Sequence, residues 1–391
     1  FVCTRAPRGF TCVGLGQRQM LNIMMSMKGD GKPISFIEDC AVPLEHLADY
    51  TARLTEVFSK HGTTGTWYAH ASEGCLHVRP VLNMKDSADV RKMRAIAEEA
   101  FAMVREYKGS HSGEHGDGIV RSEFHPVMFG NRMIRSFESV KRMFDPTGLL
   151  NPGKIVDPQK MDDRSLFRYQ PHYHTATPDT QLDWSEWGGI AGAIEMCNNN
   201  GACRKRDASV MCPSYRATND EAHVTRGRAN TWRLAISGQL GPDALSSDEV
   251  AKSLSLCVGC KACKRECPTG VDMARMKIEV HALRAKTHKP TLRDRIIGFL
   301  PRYAYYARWG NWALPILDRI PGLPWLREKA LGISRHRQLP RFLSDRTLLG
   351  EQVLGPAKGK AVVLLVDTFT YWFEPDNTQE ATQVVIEKGY L

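Results

Sequence analysis

Cys257, Cys260, Cys263 and Cys267, followed by Pro268, form the run C-x-x-C-x-x-C-x-x-x-C-P. This spacing turns successive thiolates inward around one iron–sulfur cube, so the chemistry it predicts is electron transfer. Cys197, Cys203 and Cys212, the last followed by Pro213, form a second group. The fourth cysteine of such a run ligates the other cluster when there are two. Cys212 is therefore expected to complete the 4Fe-4S cluster of Cys257, Cys260 and Cys263, with Cys267 reaching back to Cys197 and Cys203. That second group is one ligand short, because Asn200 stands where a further cysteine is needed. A non-cysteine ligand, a three-iron cluster, and structural thiols with no cluster all remain open. Disulfides fit poorly, since thiols kept for cluster assembly belong in a reducing compartment. Cys3, Cys12, Cys40 and Cys75 are scattered and read as small buried residues.

The rest of the chain must position these groups. Its 391 residues, 42% hydrophobic and 25% charged, suffice for two or three packed domains of a globular, soluble protein. No apolar run approaches a membrane span, and no signal peptide opens the chain. The expected location is cytoplasmic, with a place at the inner face of the membrane kept open. Phe1 stands where an initiator methionine would, so the chain reads as a fragment of a longer protein. The net charge is +10, yet Lys and Arg are dispersed rather than massed in a stripe. This argues against nucleic acid and suits an anionic small substrate or a solvated surface.

The N-terminal part reads as α+β. Residues 35–42 give a short strand signal, and 44–61 carry helical periodicity after Pro43. Residues 67–81 read as strand, turn and strand, with Ser72, Glu73 and Gly74 in the turn. Period-two alternation puts Cys75, His77 and Arg79 on one face of the second strand and Leu76 and Val78 on the other. A helix capped by Asp86 runs to about residue 108, with Val90, Met93, Ala97, Ala100 and Val104 inward. Gly109 stops it, and a glycine-rich loop holding Glu114 and His115 follows. Residues 144–148 make a turn leading to Asn151, Pro152, Gly153 and Lys154. Residues 157–189 read as an extended linker, and 220–237 and 272–286 as helices of the iron–sulfur domain. Arg226 and Arg228 sit near its cysteines in sequence but read as solvated. Residues 292–326 mix arginine with aromatic residues and are broken by prolines. They read as a packed helical connector, with interfacial membrane docking a minor alternative.

Three stretches, 70–77 (HASEGCLH), 112–118 (SGEHGDG) and 144–154 (FDPTGLLNPGK), carry a resemblance. They resemble the C-terminal substrate domain of FAD-linked 2-hydroxy acid dehydrogenases of the vanillyl-alcohol oxidase-like superfamily, which act on D-lactate, glycolate or D-2-hydroxyglutarate. The cysteine-rich part is similar to the iron–sulfur extension of some bacterial members. Residues 360–390 resemble the first strand and helix of a heterodisulfide-reductase-type cysteine-rich domain, the start of an α/β fold. The resemblance implies a substrate and metal domain at 1–156, a linker at 157–189, and a mainly helical ferredoxin-like 4Fe-4S domain at 190–286. A helical connector at 287–358 and a truncated cysteine-rich domain at 359–391 complete the expected organisation. The family's N-terminal FAD-binding domain is missing from it.

The family's matching positions bind a divalent metal, which assigns His70, His77 and Glu114 to zinc, manganese or iron. Two histidines across a tight turn and a carboxylate from a nearby loop suit such a site, although satisfied core histidines and a solvated glutamate give the same pattern. His115 is the candidate base and Arg79 the candidate clamp for the substrate carboxylate. Mitochondrial relatives resemble this chain less at Arg79, where they carry asparagine. Asn151 and Lys154 are the expected FAD contacts. The implied function is oxidation of a D-2-hydroxy acid to the 2-oxo acid, with electrons passing through iron–sulfur to a quinone, flavoprotein or cytochrome. The alternative is a non-catalytic electron-transfer subunit. Weak membrane association and a homo-oligomer are kept open.

Overall fold

A computed structural model describes residues 2–6, 9–13, 24–207, 209–343 and 360–389, with side chains from residue 24 onward. The side chains of Cys3 and Cys12 lie outside the described residues. Strands β1 (Val2–Ala6) and β2 (Gly9–Val13) pair antiparallel. A second antiparallel sheet contains β3 (Lys32–Pro33), β4 (Cys40–Ala41), β5 (Gly65–His70) and β6 (Cys75–Leu82), with β6 bonded to the other three. The β5–β6 register sets Tyr68 opposite His77 and Thr66 opposite Arg79. Directly opposed residues share a face, so Tyr68, His70, Cys75, His77 and Arg79 project together. Val78 and Leu76 project the other way, into the core.

That core is closed by two helices. Leu47–Lys60 contributes Tyr50, Leu54, Val57 and Phe58, and Ser87–Glu106 contributes Met93, Ile96, Ala97, Ala100 and Phe101. Asp86 caps the second helix by accepting a hydrogen bond from the Ala88 N–H. The turn between β5 and β6 ends at Gly74, at φ +66°, where a Cβ would stand 2.0 Å from the Val42 carbonyl oxygen. Only glycine fits there.

The structure departs from the sequence reading at two places in this half. The strand expected over 35–42 is reduced to β4, because Asp39 takes a left-handed conformation at φ +70° that ends extended pairing. His125–Phe144 is a helix that the sequence reading did not anticipate, its pattern interrupted by Pro126 and by a kink at Gly130, at φ +77°.

A second core surrounds the cysteines, built on the Thr225–Ile236 and Met273–Thr287 helices with Trp232, Ile194, Val224 and Val280 inside. Residues 157–189 contain little regular structure, yet they pack closely. Met161, Trp184 and Trp187 are buried, and the buried Glu279 carboxylate accepts hydrogen bonds from the Gln181 and Leu182 N–H groups and the Trp184 indole. Lys85 donates to Asp30 and Glu195 at 2.7 and 2.6 Å and so ties the two cores together.

The chain divides into two compact units, Phe1–Thr287 and His288–Leu391. The second holds short helices, among them Leu292–Gly298, Leu300–Ala307, Leu314–Arg319 and Leu323–Leu331, three of them with proline in the first turn. The strand expected after residue 360 is absent among the described residues. Residues 361–367 carry no ladder, Val363 and Leu365 are 92% exposed, and the helices Thr368–Phe373 and Pro375–Glu387 follow. Residues 344–358 of the expected connector, and residue 359 after it, lie outside the described residues. No helix among the described residues is long and apolar enough to cross a membrane.

Candidate functional site

On the β5–β6 face, the imidazole of His77 is fully buried and its Nε2 lies 2.8 Å from Glu114 Oε1. His70 Nε2 lies 3.3 Å from the same oxygen. The two rings meet edge to face at 5.1 Å, and one donor atom from each of the three residues falls within 4.8 Å of the others. Burial, reinforced by His115 and opposed by Glu114, lowers the pKa of His77 and holds it neutral, the form in which imidazole binds metal. His115 stacks on His77 at 5.0 Å. Its Nδ1 lies 3.3 Å from Glu38 Oε1 and its Nε2 3.5 Å from Glu114 Oε1. Arg79 is buried, forms an ion pair with Glu38, and donates to the Tyr68 hydroxyl at 3.3 Å. Its Nη1 is buried with no hydrogen-bond partner among the described residues.

Two acids that hold this arrangement were not singled out in the sequence. Asp39, fully buried, accepts from the backbone N–H groups of Glu114 and His115 at 2.7 Å each, and from the Ser112 hydroxyl at 2.9 Å. Its own carbonyl accepts from Gly113 N–H at 2.7 Å. The loop carrying Glu114 and His115 is thus wrapped on one carboxylate and pinned to β4 by the Ala41–Ser110 bridge. Burial pushes the Asp39 carboxyl up, and the hydrogen bonds from His115, Ser112, Glu114 and Cys75 more than reverse it, leaving the pKa lowered. Glu38 behaves alike: burial raises it, and Ser35, Arg79 and His115 together bring it below the ordinary value. The signal was two adjacent acids inside an apolar stretch, Phe36 to Cys40, where a buried acid requires partners.

In the second core, Cys212, Cys257, Cys260 and Cys263 line one small pocket with Thr225 and Arg228. Glu266 brings the two cysteine segments together by accepting from the Val210 and Met211 N–H groups at 3.0 and 2.9 Å. Arg228 is buried, not solvated, and donates to Ser214 at 2.9 Å and toward Cys212 Sγ at 3.8 Å. Arg226 pairs with Glu221. Burial raises the thiol pKa of Cys197, with Cys267 adding to it, and pushes that of Cys203 up to about 12, with Cys212, Cys197 and Cys267 adding to it. Asn200 hydrogen-bonds Asn198 and is exposed.

Residues 16–155 match the model of the C-terminal domain of FAD linked oxidases, and residues 193–271 that of the 4Fe-4S dicluster domain. The chain joins an FAD-linked oxidase C-terminal domain to a 4Fe-4S dicluster domain. Over 96% of its length it is 29% identical to a D-2-hydroxyglutarate dehydrogenase of Escherichia coli, and 28% identical to one of Pantoea ananatis. A D-lactate dehydrogenase of Anaerostipes hadrus is 30% identical over 30% of the chain and a quarter of its own length. The chain spans about two-fifths of the length of the D-2-hydroxyglutarate dehydrogenases it matches.

Within the FAD-linked oxidase domain, the metal-type donors, Arg79 and His115 fall in one cluster, whereas Asn151 and Lys154 stand apart as exposed residues after the Asp145–Gly148 turn. The donor set of two imidazoles and a carboxylate fits a divalent metal, and the orphaned Arg79 Nη1 fits an anion. Within the dicluster domain, the four-cysteine pocket fits an iron–sulfur cluster.

Proposed function

We propose that this chain supplies the substrate side and the electron relay of an FAD-dependent dehydrogenase that oxidises a D-2-hydroxy acid, D-2-hydroxyglutarate or D-lactate, to the 2-oxo acid. The observation that carries the reading is the buried Arg79, with an unpartnered nitrogen, on the same sheet face as His77 and paired with Glu38, which His115 also faces. A non-catalytic electron carrier has no use for such a face.

Bound FAD would accept the Cα hydrogen as hydride, and a bound divalent metal would stabilise negative charge on the substrate oxygens. His70, His77 and Glu114 would hold that metal. Arg79, fixed by Glu38 and Tyr68, would orient the substrate carboxylate through Nη1. Glu38, 3.3 Å from His115 Nδ1, would favour the tautomer with the proton on Nδ1 and leave Nε2 to take the hydroxyl proton. Asp39 positions both loop residues without touching substrate. Cys212, Cys257, Cys260 and Cys263 would hold one 4Fe-4S cluster, and Cys267 would serve the group of Cys197 and Cys203. Asn151 and Lys154 would contact the flavin from the exposed turn. A membrane-borne quinone acceptor suits the exposed Trp309, Trp312 and Trp325 of the second unit.

The test is a screen of 2-hydroxy acids with the full-length protein carrying its flavin, following flavin bleaching without oxygen. Bleaching by a D-2-hydroxy acid and not by its L-enantiomer is expected, and no bleaching by any D-2-hydroxy acid would overturn the reading.

A further inference from the structure

At the other end of the loop that presents Glu114 and His115 lies a second group of donors, His111, Asp117 and His125. His111 and His125 are 1% and 2% exposed, and Asp117 is half-buried. Asp117 Oδ1 stands 3.4 Å from His111 Nε2, and Oδ2 stands 2.9 Å from His125 Nε2. The two rings face each other edge-on at 5.5 Å, and one donor atom of each residue lies within 4.8 Å of the others. None of the four ring nitrogens has an aligned hydrogen-bond partner among the described residues, nor does Asp117 Oδ1. Buried imidazoles without an aligned hydrogen bond are rare, and each such group calls for an explanation.

We propose that His111, Asp117 and His125 bind a second divalent metal ion of the zinc class. Ligand bonds of about 2.0–2.1 Å place tetrahedral donor atoms about 3.3 Å apart, close to the separations found here. Two imidazole nitrogens and one carboxylate oxygen are the donors that zinc-class ions prefer over magnesium or calcium. The carboxylate supplies the negative charge the ion requires. The neighbouring Arg121 guanidinium is drawn off by the carbonyl oxygens of Gly116 and Glu38. Phe101 and Phe129 pack their rings against the histidines and limit water to the remaining position. The ion would pin residues 111 and 117, the ends of the loop, to the first turn of the His125–Phe144 helix. Its role is therefore structural. It does not depend on the dehydrogenase reading or on the His70, His77 and Glu114 site.

The test counts zinc per chain by mass spectrometry after chelation, reloading with Zn²⁺ and gel filtration, with the iron–sulfur absorption monitored to establish that each variant is folded. Working in a His77→Ala background removes the first site. That protein is expected to retain one zinc per chain, and to lose it on addition of either Asp117→Ala or His125→Gln. Asp117→Ala, at a half-buried position, guards against a variant that simply fails to fold. Zinc retained at one per chain in both folded double variants, or no zinc bound by His77→Ala itself, would overturn the proposal.

Discussion

Asp39 carries more of the site than any residue that touches it. Its carboxylate takes two backbone N–H groups and a hydroxyl, and charged hydrogen bonds contribute about 1.5–3 kcal/mol each. Asp39→Asn is therefore expected to destabilise the first unit by roughly 2 kcal/mol or more at pH 7, measured by urea unfolding. The sign of the pH dependence follows from its lowered pKa. The contribution is fully present above the ordinary value of 3.8 and is lost as pH falls through the lower folded value. The stability gap between wild type and Asp39→Asn should thus narrow as pH falls below 3.8. A gap that widens on acidification would contradict this account. Arg79 and Glu38 pose the complementary case of a buried ion pair. Arg79→Ala should cost about 3–5 kcal/mol because it strands Glu38 in the interior, and Arg79→Ala/Glu38→Gln should recover part of that loss in the same unfolding measurement.

At the scale of elements, the two cysteine segments are joined by Glu266, which accepts from the backbone just before Cys212. Glu266→Ala should leave the cluster formed but hasten its bleaching in air, while Cys212→Ser should remove the cluster signal. An unchanged spectrum in Cys212→Ser would return the fourth ligand to Cys267. These contacts also explain what the sequence allowed and what it withheld. The β5–turn–β6 unit and the Ser87–Glu106 helix were legible because their periodicity, their glycine stop and the Asp86 cap all agree. So was the common face of His77 and Arg79, which follows from alternation alone. The fold of residues 35–42 was not legible, since hydrophobic residues there suggested a strand while the Asp39 side chain and its left-handed backbone serve the loop 110–115. Arg228 misled for a related reason. A helix wheel shows it polar, and only the tertiary fold reveals the sulfur and hydroxyl it reaches. The His125–Phe144 helix was hidden by a proline and a glycine that it absorbs as an N-terminal residue and a kink.

For the whole molecule, the division after Thr287 predicts that residues 1–287 fold and keep iron without the His288–Leu391 unit, as read by iron content and visible absorption. Loss of iron on removing that unit would place a cluster contribution in it. Lys85, Asp30 and Glu195 join the sheet-based core to the cysteine-based core, so the two form one packed body. The proposed function rests on His115 taking the hydroxyl proton of a hydroxy acid held on this body. The direct measurement is the anaerobic rate of flavin reduction by a D-2-hydroxy acid in the full-length protein carrying its flavin, wild type against His115→Ala. A positioned base contributes about a hundredfold to ten-thousandfold. The variant should therefore fall by at least about a hundredfold while keeping flavin, metal and cluster content. A variant that reduces flavin within about threefold of wild type, well outside the range for a lost base, would contradict the account.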